Sequence, residues 1–185
     1  QTPLLLYVTA MAYAESSPAA AVGYYLRAAA AQEKQKSGEL EIEAVQIAKQ
    51  GAQLAHRLYY EEPGRRGIAR EMIDYYCRLG GDEVDEKIQY LSTRLLSDEG
   101  RSGEAGELLR KIAQGGGEYS KQAQLDLIIG ELKNNSDDRS VRHRLKKELE
   151  GLIASAESMG EQDRLARAEA TDLYCQLLLD EDDED

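Results

Sequence analysis

Apolar residues recur along this chain at steps of three and four, and clusters of Gly, Pro, Ser, Asn and Asp interrupt them every 15 to 25 residues. Side chains three and four apart share a helical face, so the pattern predicts helices that each bury a stripe. A first segment runs from about Pro3 to Glu15. Ser16-Ser17-Pro18 then signals a helix start, with Ser as the cap and Pro in the first turn, where its missing N–H costs nothing. The second helix carries Ala21, Tyr24, Tyr25 and Ala28 and continues to about Gln35. Ser37-Gly38 breaks the chain before a long third helix with Leu40, Ala44, Ile47, Gly51, Leu54, Ala55 and Leu58 on one stripe. Ile42, Val45, Ala48 and Ala52 widen that stripe, as in a helix sandwiched between neighbours.

Glu62-Pro63-Gly64 ends that helix. Ile68, Met72, Tyr75, Tyr76 and Leu79 mark a fourth, stopped by Gly80-Gly81-Asp82. Val84, Ile88, Leu91 and Leu95 mark a fifth that ends near Gly100. Ala105, Leu108, Leu109 and Ile112 form a short sixth, closed by Gly115-Gly116-Gly117. Leu125, Ile128, Ile129 and Leu132 form a seventh, before Asn134-Asn135. Ser136-Asp137-Asp138 caps an eighth helix with Val141, Leu145, Leu149, Leu152, Ile153 and Ala156, and acid at its start suits the helix dipole. After Met159-Gly160 a ninth carries Ala166, Ala170, Leu173, Tyr174, Leu177 and Leu178.

No window alternates apolar and polar for long enough to form a strand, so the expected fold is all-α. The helices pair: successive pairs start near Pro3, Gly38, Val84, Glu118 and Glu161, 34 to 46 residues apart. One hairpin cannot bury both of its faces, so antiparallel pairs must stack into an α-solenoid. The expectation is a single helical-repeat domain over 1–180 and an acidic tail at 181–185.

Composition narrows the partners. The 185 residues hold 11 Tyr but no Phe or Trp, and the net charge is −12. So acidic a chain repels phosphate backbones and anionic lipid, which disfavours nucleic acid and membrane and favours cationic proteins or peptides. No stretch reaches the ~20 apolar residues of a membrane span, and Leu4-Leu5-Leu6-Tyr7-Val8 lacks the basic flank of a signal peptide. A start at Gln1 rather than Met suggests an excised piece, and the compartment stays open. Cys77 and Cys175 have no C-x-x-C partner, which favours buried free thiols over a metal or redox site and leaves a disulfide between them open.

Leu5, Val8, Thr9 and Ala12, followed by Ser17-Pro18 at the turn and by Ala21, Tyr25 and Ala28, resemble the two helices of a tetratricopeptide repeat. A second set, Gln89, Thr93 and Leu96 with Ala105, Leu109 and Ile112, is similar. The resemblance implies a right-handed superhelix whose first helices line a concave face that holds a peptide or a partner's helix. It would place Gln46, Gln50, Gln53, Arg57 and Tyr60, then Lys87, Tyr90 and Arg94, then Lys121 and Gln124 on that face.

Catalytic and cofactor signals are weak. His56 and His143 have no H-E-x-x-H context, and Gly115-Gly116-Gly117-Glu118-Tyr119-Ser120-Lys121 lacks both the phosphate-loop spacing and a preceding strand. No cofactor or metal is implied. The basic run Arg139, Arg142, His143, Arg144, Lys146, Lys147 is expected to pair with the chain's own acids. In the doublets Tyr24-Tyr25, Tyr59-Tyr60 and Tyr75-Tyr76, neighbours point about 100° apart, so one ring of each can enter the core while the other reaches the surface. The favoured reading is a non-enzymatic scaffold for protein–protein interaction. The alternatives are an enzyme or small-ligand binder with an inter-helix pocket near Tyr59, Tyr60, Tyr75, Tyr76 and Cys77, and a self-associating module whose terminal helices, 1–15 or 161–180, dock a second copy.

Overall fold

A computed structural model describes residues 2–35, 42–135, 138–155 and 161–182 of the chain. Among them are nine α-helices and no strand: α1 (Pro3–Tyr13), α2 (Pro18–Lys34), α3 (Ala44–Glu61), α4 (Arg66–Gly80), α5 (Glu86–Asp98), α6 (Ser102–Gly115), α7 (Ser120–Asn134), α8 (Arg139–Ala154) and α9 (Glu161–Asp182). The protein is all-helical. Leu40, the breaks at Ser37-Gly38 and Met159-Gly160, Ser136-Asp137, Ala156 and the tail residues 183–185 lie outside the described residues.

Local chemistry sets the helix starts. Thr2 Oγ1 accepts from the Leu5 N–H at 3.4 Å, and Pro3 takes the first position of α1. Pro18 likewise opens α2, although the Ser17 hydroxyl makes no capping bond. Asp138 caps α8, its carboxylate accepting from the N–H groups of Ser140 at 2.9 Å and Val141 at 3.2 Å. Two expected helical residues precede their helices. Ile42 leads into α3, its carbonyl accepting from the Gln32 side-chain amide at 3.2 Å, and Val84 sits buried just before α5.

The chain divides into two compact units, Gln1–Leu95 and Leu96–Asp185, with the boundary inside α5. In the first unit α1 packs on α2, α2 on α3 and α3 on α4, and α2 also reaches α4. Small side chains permit this. Ala21, Ala28 and Ala29 of α2 and Ala48, Ala52 and Ala55 of α3 are fully buried, so the helices approach closely. Gly51 is the tightest point: a Cβ there would lie 2.8 Å from Tyr25 Cβ and 2.6 Å from Met72 Sδ. Tyr7, Tyr25, Tyr59 and Tyr76 supply the bulk that Phe and Trp give other cores.

In the second unit α6 packs on α7, α7 on α8 and α9, and α8 on α9. Its core is leucine-based, with Leu125, Ile128, Leu145, Leu149, Leu152, Ala170 and Leu177. Gln122 donates to Glu169 at 2.8 Å and Tyr174 to Glu150 at 2.6 Å, tying α9 to α7 and α8. Leu178, expected on the buried stripe, is exposed, because Ala166, Ala170 and Leu177 set a stripe that leaves it on the next face.

Replacing Gly51 by Ala tests the α2–α3 approach. The extra methyl overpacks the contact, at about 1–3 kcal/mol, against about 1 kcal/mol gained from helix propensity. Urea unfolding followed by circular dichroism should show Gly51→Ala destabilised by up to about 2 kcal/mol. An increase in stability would mean that the helices stand further apart.

Candidate functional site

The ten residues expected on a concave face fall in both units. Gln46, Gln50, Gln53, Arg57 and Tyr60 form one exposed stripe of α3. Gln50 accepts from the Tyr7 hydroxyl at 3.0 Å, so it ties α3 to α1. Arg57 lies 3.8 Å from Glu61 one turn on, an exposed ion pair of small energetic weight. Tyr60 is 48% exposed, with its ring 5.2 Å from His56 and 5.3 Å from Tyr59. On α5, Lys87 and Arg94 are exposed, but Tyr90 is buried at 5% and offers no ring to a partner. Arg94 covers that ring at 5.4 Å and donates to its hydroxyl at 3.2 Å. Helix α5 buries Ile88 and the whole run Tyr90–Thr93, more of its circumference than one stripe, which is why a surface assignment failed there.

His56 and Lys87 come together electrostatically. Burial pushes the His56 imidazole down to about 4, and the Lys87 charge adds to the shift. A neutral ring therefore lies beside the exposed Tyr60.

Each tyrosine doublet places one ring in the core. Tyr25, Tyr59 and Tyr76 are buried and Tyr60 is exposed, while Tyr24 and Tyr75 are half-buried against the same core. Tyr24 stacks on Tyr13 at 5.7 Å, with the Arg27 guanidinium 4.3 Å above it. Tyr75 donates to Glu33 at 2.6 Å and lies under Arg78. Burial, then the Glu33 bond, raises the Tyr75 phenol to about 12, and the same bond holds the Glu33 carboxyl below its usual range. Tyr76 donates to Asp85 at 3.4 Å, and Lys49 meets the same carboxylate at 2.9 Å. Cys77 is half-buried and its thiol is pushed up to about 11 by burial, whereas Cys175 is exposed rather than buried as expected; both are free. The Tyr59–Cys77 region thus consists of core rings and the ties that hold α2, α4 and the start of α5 together.

Lys121 and Gln124 line a groove between α7 and α8 of about 390 Å³. Its apolar wall is Leu127, Ile128 and Leu152, and Glu131, Glu148, Gly151 and Ser155 complete it. Arg144 of α8 pairs with Glu131 near the end of α7, so the two helices run antiparallel. Glu131 and Glu148, both bonded to Arg144, therefore mark one end and Lys121 with Ser155 the other. Gly151 opens the space: a Cβ built there would meet nothing within 4 Å. Gln124 donates to the Ala113 carbonyl at 3.3 Å, which fixes its amide on the α6 side. Sequence reasoning named Lys121 and Gln124 but not the groove, whose signal is a glycine in the interior of α8 beside its apolar stripe.

Arg144 meets the expectation that the basic run pairs with the chain's own acids, and Lys146 lies 6.0 Å from the Tyr174 ring centre. Among the described residues no group of three or more His, Cys, Asp and Glu could hold a metal ion. No described helix is long and apolar enough to cross a membrane. Comparison with protein-family models, curated proteins and solved structures finds no match for the chain.

Two measurements check these environments. An NMR titration should place His56 near pH 4. Because folding depresses this value below the ordinary 6.5, the neutral ring's contribution is complete above pH 6.5 and lost as pH falls toward 4. His56→Gln should flatten that part of the stability profile, and a titration near 6.5 would contradict the burial. With a disulfide-exchange reagent at pH 8, Cys175 should react rapidly and Cys77 only on unfolding. Equal rates would contradict the raised Cys77 thiol.

Proposed function

We propose that the chain is a non-enzymatic helical-repeat scaffold, tetratricopeptide-like in its stacked hairpins, that binds a partner's helix or peptide. The observation that carries this reading is the open groove between α7 and α8, where Gly151 contributes no side chain and the half-buried Leu127, with the edges of the buried Ile128 and Leu152, forms the apolar lining. Its volume has room for apolar anchors of a bound segment, and an anchor seated in a pocket is how helix-in-groove recognition gains affinity. The second unit carries 22 Asp and Glu against 12 Lys and Arg, so it attracts a basic segment. Among the described residues Lys121 makes no ion pair, while the opposite end is acidic, and this polarity would orient the bound segment. The consecutive packing of α1 to α4, with α2 also touching α4, supports the hairpin-stack part of the reading.

A basic amphipathic helical peptide of alternating Leu and Lys faces is a suitable probe. Added to the labelled protein, it should move the amide signals of Leu127, Ile128, Gly151 and Leu152. Gly151→Leu should weaken binding about tenfold or more, as filling the pocket displaces an anchor worth about 1.5–3 kcal/mol. The fold should persist, because the added Cβ enters open space and leucine favours the helix. Shifts spread over the acidic surface, abolished by salt and indifferent to Gly151→Leu, would reduce the interaction to non-specific charge attraction.

A further inference from the structure

Helix α1 alone among the described helices contains no Asp, Glu, Lys or Arg. Its inner face, Leu6, Tyr7 and Ala10, is buried in the core of the first unit. Its outer face is equally apolar and open, with Leu4, Leu5, Val8 and Met11 all exposed, Leu5 at 54% and Val8 at 52%. Two of its polar side chains already have partners: the Thr9 hydroxyl donates to the Leu5 carbonyl at 2.7 Å and the Tyr7 hydroxyl to Gln50 at 3.0 Å. A helix that is hydrophobic all round belongs in a fully covered position.

We propose that a second copy of the chain covers this face, α1 packing antiparallel on its counterpart about a two-fold axis near Val8. In that pairing Leu4 and Leu5 of one copy lie against Met11 and Ala12 of the other, and the small Ala12 lets the helices close. A two-fold contact uses the same patch twice, which a uniform apolar face satisfies without any complementary charge. A partner chosen for its attraction to acidic residues would find none on α1.

The area agrees with a weak dimer. The half-open Leu4, Leu5, Val8 and Met11, with the exposed Ala12, leave on the order of 450 Å² per copy, so pairing removes up to roughly 900 Å², the size of a weak, transient interface. The first unit carries 11 Lys and Arg against 13 Asp and Glu, so little repulsion opposes the approach. By contrast, the exposed Leu165, Leu178 and Leu179 of α9 belong to the strongly acidic second unit, where two copies would bring like charges together. An interface of this size belongs with weak, reversible contacts.

Sedimentation velocity of the full chain, from low to several hundred micromolar, tests the proposal. The mass should rise from 20.6 kDa to twice that value and stop there. Val8→Lys places a charge at the two-fold axis and should weaken the dimer roughly 100-fold with helix content unchanged. Leu179→Lys on α9 should leave the dimer intact. If Val8→Lys unfolds, Val8→Cys in a chain lacking Cys77 and Cys175 supplies the second measurement: a short bismaleimide should link two copies through it. A mass fixed at 20.6 kDa throughout, failure of that cross-link, or unlimited growth abolished by Leu179→Lys would each overturn the proposal, the last in favour of head-to-tail contact.

Discussion

The close contact between α2 and α3 is the constraint on which the first unit depends. Ala21, Ala28 and Ala29 of α2 and Ala48, Ala52 and Ala55 of α3 are fully buried with little side chain to hold the helices apart, and Gly51 removes the last methyl where Tyr25 and Met72 converge. Dispersion between closely packed backbones replaces the large apolar residues that the chain lacks. The tyrosines then fill the remaining space, and their hydroxyls settle the ring directions. Tyr7 reaches Gln50, Tyr75 reaches Glu33 and Tyr76 reaches Asp85, each joining a helix to another part of the unit.

The second unit is built differently. Leucines dominate its core, and polar ties from Gln122 to Glu169 and from Tyr174 to Glu150 hold α9 in place. With larger side chains as spacers, a single glycine suffices to leave a gap, and Gly151 does so. Most of the chain's excess negative charge also lies in this unit. The proposed binding groove thus sits in the strongly acidic unit, and the proposed self-contact on the nearly neutral one.

Much of the fold was legible in the sequence because helix boundaries have local causes. Pro18, Gly80-Gly81 and Gly116 act where they stand, and Gly81 and Gly116 adopt the positive φ that glycine favours. Alternation within the tyrosine doublets was legible for the same reason, since adjacent residues on a helix face apart. Surface assignment was not, because it depends on how many neighbours a helix has. Tyr90 shares a face with Lys87 and Arg94 by spacing, yet α5 is covered on more than one side and Tyr90 is enclosed. Leu178 shows the reverse error, an apolar residue one step past the last covered position of α9. The groove was readable in principle: a glycine inside a helix costs about 1 kcal/mol against alanine, and such a cost beside Leu149 and Leu152 points to space around it.

Helix α3 meets α2 at Gly51 closely enough to lie against the Tyr25 Cβ, with Met72 of α4 pressed against the same point. Nuclear Overhauser spectroscopy on the unmodified protein measures this directly. Strong cross-peaks are expected from the Gly51 α-protons to the Tyr25 β-protons and to the Met72 methyl. If Gly51 showed contacts only within its own helix, the stacked first unit described above would be contradicted.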